Sequence, residues 1–107
     1  MRKFLFSIAI FLLATNAQSG MITGQKLYEM LSSNQIMQRS AGTGYVTGVF
    51  DMGDGVVWCE TPDYISIGNV ADITLKYLRD NPESRKRIAH FAVIFAMQDL
   101  FGKCGST

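Results

Sequence analysis

The chain has 107 residues and is close to neutral, with ten Lys and Arg against nine Asp and Glu. This balance excludes a protein that relies on general electrostatic attraction to nucleic acid or acidic lipid. The length allows one small domain with a small hydrophobic core. Such domains usually need further stabilisation by a covalent cross-link or by oligomerisation.

Residues 1–17 have the order of a secretory signal peptide. Two basic residues precede an apolar run from Phe4 to Ala14, and a small residue, Ala17, ends the segment. The run has eleven residues, whereas a membrane-spanning helix needs about 20, so a retained anchor is the weaker alternative. We expect cleavage after Ala17 and a periplasmic domain of residues 18–107. Without its first two basic side chains the chain has eight basic against nine acidic residues.

Cys59 and Cys104 are the only cysteines of the chain. An oxidising compartment and an even cysteine count favour a disulfide between them. Their separation of 45 residues corresponds to a stabilisation of roughly 4 kcal/mol at most in the chain-entropy model. A catalytic thiol is the alternative, but a lone nucleophile also needs a nearby base.

Two helices are predicted from apolar spacing and capping residues. The first follows Thr23, which is placed as its N-cap, and its apolar side chains from Leu27 to Leu31 recur at spacings of three and four. The other follows Ser66 as N-cap and runs to about Arg79, again with helical apolar spacing.

The segment from residue 34 to residue 58 is ambiguous. Gly42, Gly44 and Gly48 weaken a helix, while the Tyr, Val and Phe residues between them suit a strand equally well. If the segment is helical, Gly44 and Gly48 lie one turn apart and would let another helix approach closely.

A loop is predicted from Asp51 to Ile65, because "DMGDG" and "TPDY" are rich in turn residues. Trp58 and Cys59 are apolar anchors near its middle. Its carboxylates could bind calcium, but the spacing and the terminal bidentate glutamate of the usual calcium loop are missing. A solvated acidic loop is therefore the better interpretation. The carboxylates are Asp51, Asp54, Glu60 and Asp63.

The fourth helix is predicted to begin at Asn81, with Asn81 as N-cap and Pro82 in the first turn, and to end near Gly102. Its apolar stripe is wider than one core requires, so the helix is either central or shared across an interface. The stripe contains Ile88, Phe91, Ala92, Phe95 and Ala96, widened by Val93, Ile94 and Met97.

Arg85, Lys86 and Arg87 follow this predicted helix start directly, and Arg79 lies shortly before it. Cations in a first helical turn oppose the helix dipole. That cost points to a contact with a partner, although a solvated face is the simpler alternative. We therefore expect replacement of the three residues by alanine to weaken partner binding and leave the fold intact.

The residues typical of catalysis are few. His90 is the sole histidine, so a site with two histidine ligands is excluded, and no zinc-protease, P-loop or Gly-x-Ser-x-Gly motif occurs. A partly buried structural histidine is the simpler interpretation of His90. An enzyme is the least supported class, and no cofactor or metal is expected.

Three stretches, "GYVTGVFD", "WCETPDYISIGNVADITLKYLRDNPESR" and "LFGKC", resemble the small periplasmic immunity proteins of the Tai/Rap type. These proteins protect bacteria from peptidoglycan amidases delivered by type VI secretion. The similarity extends over nearly the whole chain from about residue 24. The matching positions are Gly44 to Gly48, Cys59 to Pro62, Gly68 to Val70, Tyr77-Leu78, Asn81-Pro82 and Phe101 to Cys104.

The resemblance implies an all-α, compact bundle of about four helices braced by one disulfide, with the ambiguous glycine-rich segment helical, and a homodimer. It also implies an inhibitor without enzymatic activity that occludes the catalytic cleft of an amidase with a cysteine nucleophile and a histidine base. No nucleic acid, and no membrane after signal cleavage, is expected as a partner.

Two surfaces are candidates for the contact, because preformed loops on a rigid scaffold lose less entropy on binding. The turn from Asp80 to Arg87 is slightly favoured over the acidic loop from Asp51 to Tyr64. The predicted contact residues are Asp80, Asn81, Glu83, Ser84, Arg85, Lys86 and Arg87 in the turn, and Asp51, Asp54, Glu60, Asp63 and Tyr64 in the loop.

A periplasmic acid-stress chaperone similar to HdeA is the alternative function. That class is also small, helical, disulfide-bonded and dimeric. One histidine and nine acidic residues provide limited means of sensing acid, so this alternative ranks second.

Overall fold

The computed structural model describes residues 21–105. The predicted signal peptide and the last two residues lie outside this range. Four α-helices follow one another: α1 (Gly24–Ser32), α2 (Ile36–Gly53), α3 (Ile67–Asp80) and α4 (Ala89–Phe101), with a 3-10 helix (Pro82–Lys86) between α3 and α4. Within residues 21–105 extended backbone pairs only as isolated bridges, and no helix there is long and apolar enough to cross a membrane. The predicted all-α bundle is confirmed.

The last helix is the central element of the bundle, since α4 contacts α1, α2 and α3. This position explains much of its apolar width, because residues on three sides of α4 are buried. Phe91 and Leu100 remain 40% and 58% exposed. The buried residues of α4 are Ala89, Ala92, Val93, Ala96, Met97 and Phe101.

Two of the three predicted N-caps, Thr23 and Ser66, are present. The Thr23 hydroxyl accepts a hydrogen bond from the Lys26 N–H at 3.1 Å. The Ser66 hydroxyl accepts one from the Asn69 N–H at 3.1 Å, and the Asn69 side chain accepts one from the Ser66 N–H at 3.3 Å, which completes a capping box. These bonds satisfy donors that the first helical turn leaves free.

The ambiguous glycine-rich segment is helix α2, as the resemblance implied. Gly42 and Gly53 face the core, where a Cβ would press on Leu31 and on the Trp58 ring. Gly44 and Gly48 face outward, and a Cβ on either would meet nothing within 4 Å. Close packing inside the chain therefore depends on Gly42 and Gly53. It does not depend on Gly44 and Gly48, the pair that the sequence suggested.

Helix α2 also continues further than predicted. It ends at Gly53, so Asp51 lies in its last turn and the loop begins at Asp54. The prediction of a loop from Asp51 onward was wrong at this end. The contact of Gly53 with the Trp58 ring keeps the last turn against the core. Local sequence patterns do not predict this contact.

The predicted start of the fourth helix was also wrong. Asn81 ends α3, and its backbone and side-chain amides both donate to the Tyr77 carbonyl at 2.9 Å. Pro82 opens the short 3-10 helix rather than α4. Helix α4 begins only at Ala89, with Ile88 at the N-cap position.

Pairing with the residues just before α1 explains why α4 begins only at Ala89. The Gly24 N–H donates to the Arg87 carbonyl at 2.7 Å, and the Ala89 N–H donates to the Ile22 carbonyl at 2.9 Å. Thr23 and Ile88 form an antiparallel bridge between these bonds. Since residues 87 and 88 must be extended for this pairing, one continuous helix from Asn81 is not possible.

Candidate partner-binding surfaces

The predicted disulfide joins the long loop to the end of α4. Cys59 and Cys104 are bonded, with their Cα atoms 5.0 Å apart, so a catalytic thiol is excluded. The Cys59 N–H donates to the Gly102 carbonyl at 3.4 Å, and the Glu60 N–H donates to the Phe101 carbonyl at 3.2 Å. Gly102 ends α4 with a φ of +74°, which a glycine adopts without strain. Residues 59 and 60 are thus fixed to the scaffold.

Trp58 anchors the same loop from the inside. Its side chain is fully buried, and its ring lies 5.6 Å from the Phe50 ring and against Gly53 of α2. A buried tryptophan contributes several kcal/mol when compared with alanine, about 3–5 in measured cores. The loop therefore has little freedom between Asp54 and Glu60.

The acidic side chains remain on the surface around this anchor. Asp51, Asp54, Glu60 and Asp63 are exposed, and within residues 21–105 none of them has an ion pair or a side-chain hydrogen bond. The structure does not gather them into a metal site, since no group of three potential ligands occurs in the described range. Beside them Tyr64 is 89% exposed. The loop presents unpaired negative charge together with a protruding aromatic ring.

The turn from Asp80 to Arg87 is different, because Arg85 is part of the fold. Its Nε donates to the Leu78 carbonyl at 2.8 Å and its Nη2 to the Arg79 carbonyl at 3.1 Å, both at the end of α3. Its guanidinium also lies 4.0 Å from the centre of the Tyr28 ring of α1. Arg85 is half-buried. A cation at a helix C-terminus is favourable, so the predicted conflict with a helix dipole was wrong.

The other charges of the turn are mostly paired with each other. Lys76 and Asp80 form an ion pair at 2.6 Å, and Lys86 and Glu83 form one at 3.3 Å, all four side chains being well exposed. The hydrogen bond from Lys76 lowers the pKa of the Asp80 carboxyl. The side chain of Arg87 is exposed.

Asn81 and Ser84 are also packed within this turn. Asn81 is occupied at the end of α3 as described above. Ser84 is half-buried, and its carbonyl lies where a Cβ on Gly24 would be. The turn is thus packed onto α1 and α3 over much of its length.

An apolar groove between α2 and α4 was not predicted from the sequence. It has a volume of about 540 Å³. Burial raises the pKa of the Tyr45 hydroxyl in its wall, and a hydrogen bond with the backbone of His90 lowers it in part. His90 itself is half-buried, and its ring lies 4.4 Å from the Phe91 ring, tilted by 43°. The spacing of Gly44 and Gly48 was the available signal, but it did not show that this face points outward. The groove is lined by Gly44, Tyr45, Gly48, Val49, Met52, Gly53, Val57, His90 and Ile94.

Comparison with known protein families places the chain in a family. A search of curated proteins returned no match. A model of the family described as Rap1a immunity proteins matches residues 23–104, which is most of the chain and nearly all of the described range. The matched region contains the helical bundle, the anchored acidic loop and both cysteines. The chain belongs to the Rap1a immunity proteins.

Proposed function

We propose that this protein is a periplasmic immunity protein that binds a peptidoglycan amidase effector of a type VI secretion system and inhibits it by occluding its catalytic cleft. Cleavage of residues 1–17 delivers it to the periplasm, where its disulfide forms. It acts by binding alone and carries out no reaction of its own. Family membership supports the immunity role.

The acidic loop is the contact surface that the geometry supports best. Its main feature is Tyr64, an aromatic side chain 89% exposed on the loop that the Cys59–Cys104 disulfide and the buried Trp58 attach to the bundle. Exposed aromatic anchors on rigid supports are typical centres of binding energy in interfaces. The loop does not need to be ordered on binding, so little entropy is lost.

Charge favours the loop over the turn. The carboxylates of Asp54, Glu60 and Asp63 have no ion-pair or hydrogen-bond partner within residues 21–105. The Arg85 guanidinium, in contrast, is already bound to carbonyls at the end of α3. Unpaired surface charge steers a complementary partner and sets its orientation. We therefore propose that the effector presents basic side chains around its cleft and that Tyr64 enters the cleft.

The test is titration of the purified amidase encoded beside this protein. We expect one-to-one binding with loss of peptidoglycan hydrolysis, and an association rate that falls with rising salt. Tyr64→Ala should raise Kd by about 30-fold, the effect of a hot-spot residue. The matched loop control is Val56→Ala, since Val56 is also exposed but carries no aromatic ring.

A second pair of variants tests the turn. Lys86→Ala and Arg87→Ala remove exposed charges and should change Kd less than Tyr64→Ala does. A larger rise in Kd for the turn variants than for Tyr64→Ala would place the contact in the turn and overturn the loop assignment. Failure of the neighbouring amidase to bind would overturn the proposed function itself.

The resemblance also leads us to propose a homodimer. Exposed apolar side chains support it, among them Met37 and Met52, at 82% and 81% exposure. An interface between two copies would cover such side chains. Sedimentation of the mature protein gives the oligomeric state directly.

A further inference from the structure

The acidic loop alone is small for a stable complex. A specific interface typically involves about 20–30 residues on each side and buries about 800 Å² of each partner. The loop from Asp54 to Tyr64 has eleven residues, and Trp58 among them is fully buried. An effector bound at Tyr64 must therefore also cover the surface next to the loop, and the chemistry of that surface indicates what the effector presents to it.

A groove adjoins the loop on the side where α3 begins. This groove (the Arg39 groove) lies between α2 and Ile67, the first residue of α3, and has a volume of about 560 Å³. Ile67 follows Tyr64 by three residues, so their Cα atoms are at most about 11 Å apart. A smaller cavity of about 160 Å³ shares Thr47 and Ile67 with the groove and extends to Asp51. The Arg39 groove is thus continuous with the proposed contact surface.

Large apolar side chains line the Arg39 groove and face solvent. Ile36 is 70% exposed and Ile67 is 57% exposed, and both contribute to its walls. Gly44 also lines the groove, and a Cβ there would meet nothing within 4 Å, so no side chain of this chain fills the space above it. Exposed apolar side chains around a concave surface are typical of contact sites.

Arg39 is the charged residue of this groove. Its Nη1 donates to the Ser33 carbonyl at the end of α1, at 2.8 Å, which restrains the guanidinium. Within residues 21–105 no carboxylate lies within ion-pair distance of Arg39. A guanidinium has further N–H donors, arranged so that two of them can bind both oxygens of one carboxylate. A carboxylate here would gain charge-assisted hydrogen bonds, and little entropy would be lost in ordering Arg39.

We propose that the Arg39 groove is a second contact site for the effector and takes an effector segment that carries an aspartate or glutamate beside an apolar side chain. The carboxylate binds the Arg39 guanidinium, and the apolar side chain packs against Ile36 and Ile67. The inference rests on the proposed function, because it names the chemistry of a further part of the same interface.

The two contact sites have opposite charge, and this difference sets the orientation of the effector. The acidic loop favours basic side chains, whereas the Arg39 groove favours an acidic one. An effector bound in the reverse direction would place like charges together at both sites, which is unfavourable. An amidase with basic side chains alone would be repelled by Arg39, so the groove also discriminates between effectors.

The test measures Kd of the mature, oxidised chain for the purified amidase encoded beside it, by isothermal titration calorimetry. Arg39→Ala should raise Kd about tenfold, and Arg39→Glu about 100-fold, because the second change adds repulsion to the loss of hydrogen bonds. Lys26→Ala is the control, since Lys26 is an exposed cation of α1 and does not line the groove. Its Kd should equal that of wild type.

A second pair of variants tests the apolar walls. Ile67→Ala should raise Kd about fivefold through the loss of apolar contact area. Leu100→Ala is the matched control, because Leu100 is 58% exposed but lines a different groove, beside Tyr77. This control should bind the amidase as tightly as wild type does. Circular dichroism verifies that all four variant positions leave the helices intact.

A photo-reactive phenylalanine analogue at Ser40 identifies the occupant directly. Ser40 is exposed and lines the Arg39 groove, so the analogue should cross-link to the amidase in the complex. The captured amidase peptide, identified by mass spectrometry, should contain an aspartate or a glutamate. A cross-link to a second copy of this chain, or an amidase peptide without a carboxylate side chain, would overturn the inference.

The outcomes separate this inference from the proposed function. If Tyr64→Ala weakens binding of the amidase while Arg39→Glu and Ile67→Ala bind as tightly as wild type, only the Arg39 groove is excluded from the interface. If the wild-type chain does not bind the amidase, the immunity function is overturned, and the inference with it.

Discussion

Arg85 connects three parts of the fold. It lies in the 3-10 helix, donates a hydrogen bond to the end of α3 and packs on the Tyr28 ring of α1. The sequence identified a basic group at Arg85 to Arg87 but could not distinguish its members. Tyr28 is 57 residues away along the chain, and no local pattern reports a contact over that distance. The sequence therefore located the basic cluster. Only the tertiary contacts show that Arg85 is structural and that Arg87 is exposed.

Arg85→Ala should lower the free energy of unfolding by about 2 kcal/mol. The variant loses two charge-assisted hydrogen bonds to the end of α3 and the cation–π contact with Tyr28. Unfolding in urea measures the change. Lys86→Ala is the control, because that side chain is exposed in a surface ion pair and should change stability by less than about 0.5 kcal/mol. Equal stability of the two variants would contradict a structural role for Arg85.

At the scale of elements, the sequence predicted α1 and α3 well because their N-caps and their apolar spacing agree. Helix α2 was ambiguous, since its glycines lower helix propensity and only tertiary packing offsets that. The start of α4 could not be predicted from Asn81 and Pro82, because the same two residues can begin either an α-helix or a 3-10 helix. The extended backbone at Ile88 depends on pairing with Thr23, and this contact is far away in the sequence.

Two glycines of α2 should respond in opposite directions to the same change. Gly53→Ala places a methyl group against the Trp58 ring and should destabilise the fold by about 1–3 kcal/mol through overpacking. Gly44→Ala meets no neighbour and should stabilise it by about 0.5–1 kcal/mol through better helix propensity. Urea unfolding at low protein concentration keeps association out of the comparison. A loss of stability in Gly44→Ala would show that Gly44 is packed within its own chain.

For the whole molecule, the sequence predicted the disulfide, the helical class and the position of an acidic loop. The loop could be predicted because Gly, Asp and Pro are turn residues wherever they occur. The groove between α2 and α4 could not be predicted, because the periodicity of α2 does not show which of its glycines face the core. Gly42 and Gly53 face inward while Gly44 and Gly48 face outward. Only the packing of Leu31 and Trp58 makes that choice.

The loop and the bundle depend on one another through the Cys59–Cys104 bond, so its removal should affect stability and binding together. The double variant Cys59→Ala/Cys104→Ala opens a link across 45 residues and should lose about 2–4 kcal/mol of stability. Thermal unfolding measures this loss, and wild type unfolded with a reductant present should match the variant.

Effector binding should weaken in the same double variant even where it remains folded. Without the bond, residues 59 and 60 are held to the end of α4 by two backbone hydrogen bonds of 3.4 and 3.2 Å, so the loop gains freedom that binding must remove. A stability control separates the two effects: Leu27→Ala leaves a cavity under α1, where Leu27 is fully buried, and keeps the disulfide in place. If both proteins, fully folded at low temperature, bind the amidase equally well, the disulfide serves stability only, and the rigidity of the loop plays no part in recognition.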